Sequence, residues 1–334
     1  MVAERIAPEP PASRETSLPG RDPGFGTTSR GVQPVKLFGL LGRSPEELKP
    51  PIFVFGNIRS GTTILADLIS AHPSLVKWDE PRTLWLYADA GRPHDEFDER
   101  DATEGVVRYI RKRFRGYQES HGGLRVLEKT PQNILKLRYV RAIFPEATFL
   151  FIVRSPFSYI SSVEAKWQRV VSARRLVRRF RETPIWQVPF HLRQAVLDQF
   201  NKRVLRKKYL QVYGPRYRGI FEDLQHVDLM TVIARQWAIC SRIAERDLET
   251  FEPGRVFRLR YEDFVVDAVP YLEKICRHCG IEPTPEMYRM AREVVDPTRQ
   301  EKWKRFDPER LRPLLPELES EMKRHGYAIP EELQ

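Results

Sequence analysis

Short apolar runs separated by helix-period segments set the pattern of this chain. Pro51-Ile-Phe-Val-Phe-Gly56 is apolar at successive positions and stops at a glycine, which reads as a strand buried on both faces. From Ser60 to Ala71 the period changes. Ile64, Leu65, Leu68 and Ile69 fall at helical spacing, and Pro73 lies just beyond. Leu124-Arg-Val-Leu-Glu128 predicts a second strand, and Ile134 to Phe144 a helix that Pro145 ends. Thr148-Phe-Leu-Phe-Ile-Val153 is the strongest strand, apolar on both faces as a central parallel strand should be. Pro156 follows where the first turn of a helix tolerates proline, and that helix runs to about Trp167. Val256-Phe-Arg-Leu-Arg260 is a further strand. Strands alternating with helices predict an α/β domain, a parallel sheet flanked by helices on both faces.

Composition narrows the class. Residues 1–35 hold six prolines and four glycines with few large apolar residues, so they are expected to form a disordered tail. Hydrophobic residues are 41% and aromatic residues 11% of the 334, enough for a core, which excludes global disorder. Three cysteines exclude a disulfide scaffold. No run approaches the ~20 apolar residues of a spanning helix. The opening Met-Val-Ala-Glu-Arg has no apolar leader behind it, so a cytoplasmic location is expected. A single domain is expected over 36–330.

The charge is unevenly placed. The chain nets +11, yet residues 164–218 carry fifteen Lys and Arg against three Asp and Glu. That segment nets +12 and the remainder −1. It predicts a basic helical insertion at about 164–250, including the amphipathic stretch Leu229–Leu248. An anionic acceptor or an anionic membrane surface would suit it.

Candidate chemistry begins after the first strand. Gly56-Asn-Ile-Arg-Ser-Gly61-Thr62-Thr63 has the glycine spacing of the P-loop, G-x-x-x-x-G-K-[ST]. Such a loop aims backbone N–H groups and a helix N-terminus at an anion. Thr62 stands where the lysine would be, Arg59 lies three residues earlier, and the strand at 148–153 ends in Arg154 rather than a magnesium-binding aspartate. A phosphate without the usual magnesium nucleotide machinery is therefore expected. Arg154 leaves a buried strand at the carboxyl edge, where α/β sheets bind ligands, and Ser162 lies eight residues on.

These residues carry a resemblance. Arg59-Ser-Gly-Thr-Thr63 resembles the 5′-phosphosulfate loop of sulfotransferases, and Arg154 with Ser162 is similar to their 3′-phosphate signature. It extends through Ala71-His-Pro, Glu80, Glu128-Lys-Thr-Pro131, Phe144-Pro145 and Arg260-Tyr-Glu-Asp-Phe264, over residues 50–165 and 255–305. The branch with a glutamate base, which includes tyrosylprotein sulfotransferases and many bacterial enzymes, looks nearest. The resemblance implies a P-loop NTPase-like sheet and 3′-phosphoadenosine 5′-phosphosulfate as donor, with no metal. It implies Arg59, Ser60, Gly61, Thr62, Thr63, Arg154, Ser162 and Tyr261 on the nucleotide, with Arg59 also in catalysis. Glu80 becomes the general base, with Asp79 as its rival. Lys129 stabilises the bridging oxygen, and Arg82 orients Glu80 or meets an acidic acceptor. Lys302-Trp303 resembles a late basic patch near the 3′-phosphate, although the residues before it depart from the pattern.

The expected reaction is in-line transfer to a hydroxyl, with an amine second, of a small-molecule, glycan, lipid or peptide acceptor. Two other readings compete. Tyr209, Tyr213 and Tyr217 among the cations suit a non-catalytic nucleotide- or RNA-binding protein, though no RNA motif is present and no nucleic-acid partner is expected. A P-loop kinase needs the lysine that Thr62 replaces. Cys276-Arg-His-Cys279 is a lone C-x-x-C at the end of an amphipathic helix, and a zinc site would need two more ligands.

Overall fold

The computed structural model describes residues 47–167, 212–293 and 302–334. The tail 1–35, Tyr209 and most of the basic segment lie outside them.

Five strands, β1 (Ile52–Gly56), β2 (Leu75–Asp79), β3 (Arg125–Lys129), β4 (Thr148–Val153) and β5 (Val256–Arg260), form one sheet in the order β2-β3-β1-β4-β5. Every pairing is parallel. Helices α1 (Thr62–Ser70), α2 (Glu104–Ser120), α3 (Leu137–Ile143) and α4 (Pro156–Trp167) follow the first four strands. The chain re-enters the described region through α5 (Ile220–His226) and α6 (Leu229–Leu248). After β5 come α7 (Tyr261–Val266), α8 (Ala268–Cys279), α9 (Pro285–Glu293), α10 (Pro308–Leu311) and α11 (Leu315–Arg324).

Alternation along the strands divides the core into two layers. Ile52, Val54, Leu127, Leu150 and Ile152 face one side, packed with Leu65, Leu68 and Ile69 of α1 and Leu272 and Ile275 of α8. Phe53, Phe55, Val126, Phe149 and Phe151 face the other, with residues of α2, α3, α4, α6 and α11. Phe53 stacks on Phe149 at 5.9 Å between ring centroids. Each such side chain, fully buried, contributes ~1.5–3 kcal/mol.

Three local readings differ from expectation. The edge strand β2 carries no long apolar run. Its Trp78 stacks on Tyr117 of α2 at 4.3 Å, and the Tyr117 hydroxyl donates to the Lys77 carbonyl at 2.9 Å, so a helix covers it instead of a second sheet face. Between 131 and 143 the chain makes a tight 3-10 turn, Pro131–Leu135, before α3. The stretch Leu229–Leu248, expected in the insertion, is a core helix. It packs against α4 and α11 and buries Ile233, Trp237 and Ala244. Asp228 caps it, accepting from the Met230 and Thr231 amides at 2.8 and 3.2 Å.

The close approach of β1 to β4 depends on Gly56. A Cβ there would stand 2.4 Å from the Ile152 carbonyl oxygen, a backbone atom that cannot swing aside. Gly56→Ala should therefore destabilise the protein by about 1–3 kcal/mol, read as a lower chemical-denaturation midpoint with an unchanged slope.

Candidate active site

The carboxyl ends of all five strands converge on one edge, and each delivers a residue singled out in the sequence. β1 leads into the loop 57–61, β2 into Glu80, β3 ends on Lys129, β4 leads into Arg154 and β5 into Tyr261. Strand order changes direction across β1, the place where open α/β sheets hold ligands.

The loop after β1 is wound tightly. Arg59 has φ 61° and Gly61 φ 91°, both left-handed. Gly61 suits its place twice over: its φ is left-handed, and a Cβ would meet the Tyr261 ring at 2.4 Å and force that ring to move. The Ser60 amide bonds the Asn57 carbonyl at 3.2 Å, and α1 starts at Thr62. Asn57 donates to Ser241 of α6 at 3.0 Å, fastening the loop from behind. Thr62 is buried and Thr63 exposed. The Ser60 hydroxyl is buried with no hydrogen-bond partner among the described residues, an unspent polar group inside the loop.

Arg154 braces this loop. Its Nη1 donates to the Arg59 carbonyl at 2.8 Å, and its guanidinium lies 4.3 Å from the centroid of the Tyr261 ring. The Trp237 indole donates to the Arg154 carbonyl at 2.9 Å. Burial pushes the Arg154 guanidinium below its ordinary pKa, and the nearby Tyr261 and Glu262 work against that. Arg59 turns its Nε onto the Ser162 hydroxyl at 2.9 Å. Arg59, Arg154, Ser162 and Tyr261 thus form one connected group. Lys302 exposes its side chain, while its carbonyl accepts from Ser161 of α4 at 3.3 Å. Arg305 donates to the Ser161 carbonyl at 3.1 Å, so two late cations border this group.

The second group is a compact ion cluster. Lys129 is 1% exposed, with its Nζ 2.8 Å from Asp79 Oδ1 and 3.0 Å from Glu80 Oε1. Arg82 pairs with the other Glu80 oxygen. Glu80 has φ 55°; with Arg59 it is one of two non-glycine residues in the left-handed region among those described. That conformation costs ~1–3 kcal/mol, and the Glu80 amide bond to the Lys129 carbonyl at 3.1 Å helps to hold it. Burial alone would raise the Glu80 pKa, but Arg82 and Lys129 outweigh it and hold the carboxyl below its ordinary value. Burial alone would lower Lys129, but Glu80 and Asp79 outweigh it and raise the ammonium. Glu80 therefore stands ionised at neutral pH.

Several site residues had no sequence signal. Trp237 and Ser241 of α6 reach the Arg154 carbonyl and the Asn57 side chain across 83 and 184 positions of chain. Glu128 was read only as part of its motif, yet it is fully buried. Other signals stay apart from the site. Cys276 and Cys279 are buried, and burial pushes their thiols up to about 11 and about 12. No group of three metal-ligating side chains occurs among the described residues. Tyr217 is buried, so its ring cannot stack on a nucleobase.

Comparison with known proteins gives the arrangement its family. The model of the sulfotransferase family matches residues 50–217 and 202–286, and the chain belongs to that family. Nodulation protein NoeE of Sinorhizobium fredii (strain NBRC 101917 / NGR234) is 27% identical over 142 residues, 38% of this chain and 34% of that protein. Protein-tyrosine sulfotransferase 1 of Danio rerio is 28% identical over 124 residues, 34% of this chain and 35% of that protein. The chain spans about a third of the length of these relatives. Among solved structures, the sulfotransferase domain of the curacin biosynthetic pathway matches with a TM-score of 0.51 and 17% identity, over 85% of this chain and all of that domain. The sulfotransferase domain of the Synechococcus PCC 7002 olefin synthase gives 0.50 and 15%, over 86% and 99%. The fold is the P-loop NTPase-like parallel sheet of these sulfotransferase domains.

Glu128 gives a stability signature. Burial lifts its carboxyl to about 7, against the opposing pull of the Thr130 and Trp85 hydrogen bonds. The folded state therefore keeps a proton that the unfolded chain loses near the ordinary value of 4.5. Stability contributed by this group falls as pH rises from 4.5 to about 7 and is level above that. Glu128→Gln cannot titrate. The melting temperature of the wild type minus that of Glu128→Gln should decline across this window and then flatten.

Proposed function

We propose that the enzyme moves a sulfuryl group from 3′-phosphoadenosine 5′-phosphosulfate to an acceptor hydroxyl, with Glu80 as general base. The observation that carries this reading is the meeting of two groups on one sheet edge. One is an anion loop braced by a buried arginine, and the other is a lysine paired with an ionised glutamate. The loop fits the donor's phosphosulfate: the α1 N-terminus and the unspent Ser60 hydroxyl offer donors to an anion. Arg59, Arg154 and Ser162, with Lys302 at the border, would hold the 3′-phosphate side, and Tyr261 would flank the nucleotide.

The acceptor oxygen attacks sulfur as the bond from sulfur to the phosphate oxygen breaks. The acceptor proton passes to Glu80, and the leaving 3′,5′-bisphosphoadenosine carries away the electron pair. Lys129 meets the charge growing on the oxygen that leaves. Charge stabilisation and positioning carry most of the work in such transfers. The cost of holding Glu80 below its ordinary pKa is a weaker base, so proton transfer comes late in the step. Arg82 orients the carboxylate and meets the acceptor.

Glu80→Gln should lower turnover by ~10²–10⁴ with little change in nucleotide affinity. The measurement is loss of labelled sulfuryl from the donor to a tyrosyl peptide, chosen because the Danio rerio relative is named for protein tyrosine, and to water. Undiminished turnover would move the base to Asp79 or elsewhere.

Bisphosphoadenosine should raise the melting temperature without magnesium, and magnesium ATP should not. Arg154→Ala should weaken binding of the bisphosphate far more than binding of adenosine 5′-phosphate. Equal loss for both would remove Arg154 from the 3′-phosphate. The basic segment 164–218 would recruit an anionic acceptor or membrane surface. Acceptor KM should then rise with salt while donor affinity changes less, because enclosed contacts are screened little.

A further inference from the structure

We propose that Glu128 is a positioning residue of the transfer, whose buried carboxyl holds the Lys129–Glu80 pair in register through hydrogen bonds from Trp85, Thr130 and Asn133. This inference rests on the sulfotransferase reading above.

The geometry begins with strand alternation. Val126 faces the aromatic layer and Leu127 the opposite layer, so Glu128 points into the aromatic side while Lys129 points away from it. Glu128 is 1% exposed and neighbours the layer that contains Phe53, Trp85 and Phe114. A carboxyl in such a place is costly, and an apolar side chain of similar volume would pack at lower cost. Its presence there calls for something that packing does not supply.

Its three partners show what that is. The Trp85 indole donates to Glu128 Oε1 at 3.1 Å, the Thr130 hydroxyl donates to the same oxygen, and Asn133 Nδ2 donates to Oε2 at 3.4 Å. Trp85 lies in the turn Leu84–Leu86, one residue beyond Glu80-Pro-Arg82. Thr130 is the next residue after Lys129, and Asn133 lies in the turn Pro131–Leu135. One carboxyl therefore joins the arm that carries the base, the end of the strand that carries the lysine, and the turn that follows it.

The arm needs such an anchor. Glu80 is held in a strained conformation by the bond from its amide to the Lys129 carbonyl at 3.1 Å. A slack arm would relax that turn and let Lys129 and Glu80 drift apart. Glu128 does not reach the reacting atoms, so it acts through Lys129 and Glu80.

The test needs no acceptor. 3′,5′-Bisphosphoadenosine carries on its 5′-phosphate the charge that develops on the leaving group, so its affinity reports how well Lys129 is placed. Calorimetric titrations with this nucleotide would be run on the wild type, Glu128→Leu, Lys129→Met and the double variant. Glu128→Leu should bind it roughly five- to tenfold more weakly, and Lys129→Met at least as weakly. In the Lys129→Met background, Glu128→Leu should add no further loss, because its effect passes through that lysine. Glu128→Gln should restore near-wild-type affinity: its carbonyl still accepts from Trp85 and Thr130, and a turned Asn133 amide can accept from its NH₂. Should Glu128→Leu fail to fold, Trp85→Phe deletes one donor of the same group and enters the same cycle with a smaller loss. Equal losses in both lysine backgrounds, or a folded Glu128→Leu with wild-type affinity, overturn the proposal. A wild-type protein that binds no bisphosphoadenosine overturns the donor reading, and this inference with it.

Discussion

A buried ammonium is the constraint around which this site is built. Lys129 is almost fully enclosed at the end of β3, where an unpaired charge would cost several kcal/mol. It is tolerated because Asp79, directly across from it in the β2–β3 register, and Glu80, one residue further, both turn carboxylates onto it. Much follows from that demand. Edge strand β2 must pair in this register, since a slip by one residue would point Asp79 to the other face. Glu80 must take a left-handed backbone to bring its carboxylate back to Nζ. Arg82 then neutralises the second carboxylate.

The part of the edge around the loop after β1 gathers cations and donors instead. Arg154 lies under cover; one of its hydrogen bonds goes to a carbonyl of the loop, and its guanidinium lies against the face of Tyr261. Arg59 spends its Nε on a serine hydroxyl. Carbonyls and hydroxyls satisfy hydrogen bonds without cancelling charge, so the electrostatic attraction for an anion survives. The same aromatic ring that lies beside Arg154 would have to move to admit a side chain at Gly61. Loop geometry and cation placement are therefore set by one contact between β5 and the loop after β1.

How much of this was legible in the sequence depends on how local each cause is. β1, β4 and β5 were readable because apolar runs and flanking breakers are local properties. The candidate site residues were named mainly from the family resemblance; Arg154, Lys129 and Tyr261 also stood at readable strand ends, whereas Glu80 follows β2, which no apolar run announced. β2 was not readable: Leu75-Val-Lys-Trp-Asp79 owes its strand to Tyr117 on α2, which covers Trp78 from 39 residues away. The helix Leu229–Leu248 has the same amphipathic pattern whether it lines an insertion or a core. Only the contacts of Trp237 and Ser241 with the loops after β4 and β1 decide. Glu128 was the hardest. A glutamate in a strand end reads as solvent-facing, and its three donors come from turns whose positions no periodicity announces.

The opposed electrostatics of the two halves have a consequence for the order of events under the proposed reaction. Without donor, Lys129 is shared by two carboxylates, and Glu80 holds a depressed pKa because Arg82 and Lys129 both favour its ionised form. A donor oxygen arriving at Lys129 competes for the same ammonium and brings negative charge beside Glu80. Each change removes a reason for the depression, so the proton affinity of Glu80 rises once the donor is in place. Asp79 remains on Lys129 throughout and keeps the ammonium from being drawn wholly to the donor. Coupling of this kind makes the base stronger when there is a sulfuryl group to move and leaves it quiet otherwise. It needs no conformational change beyond the exchange of one hydrogen bond on a buried lysine.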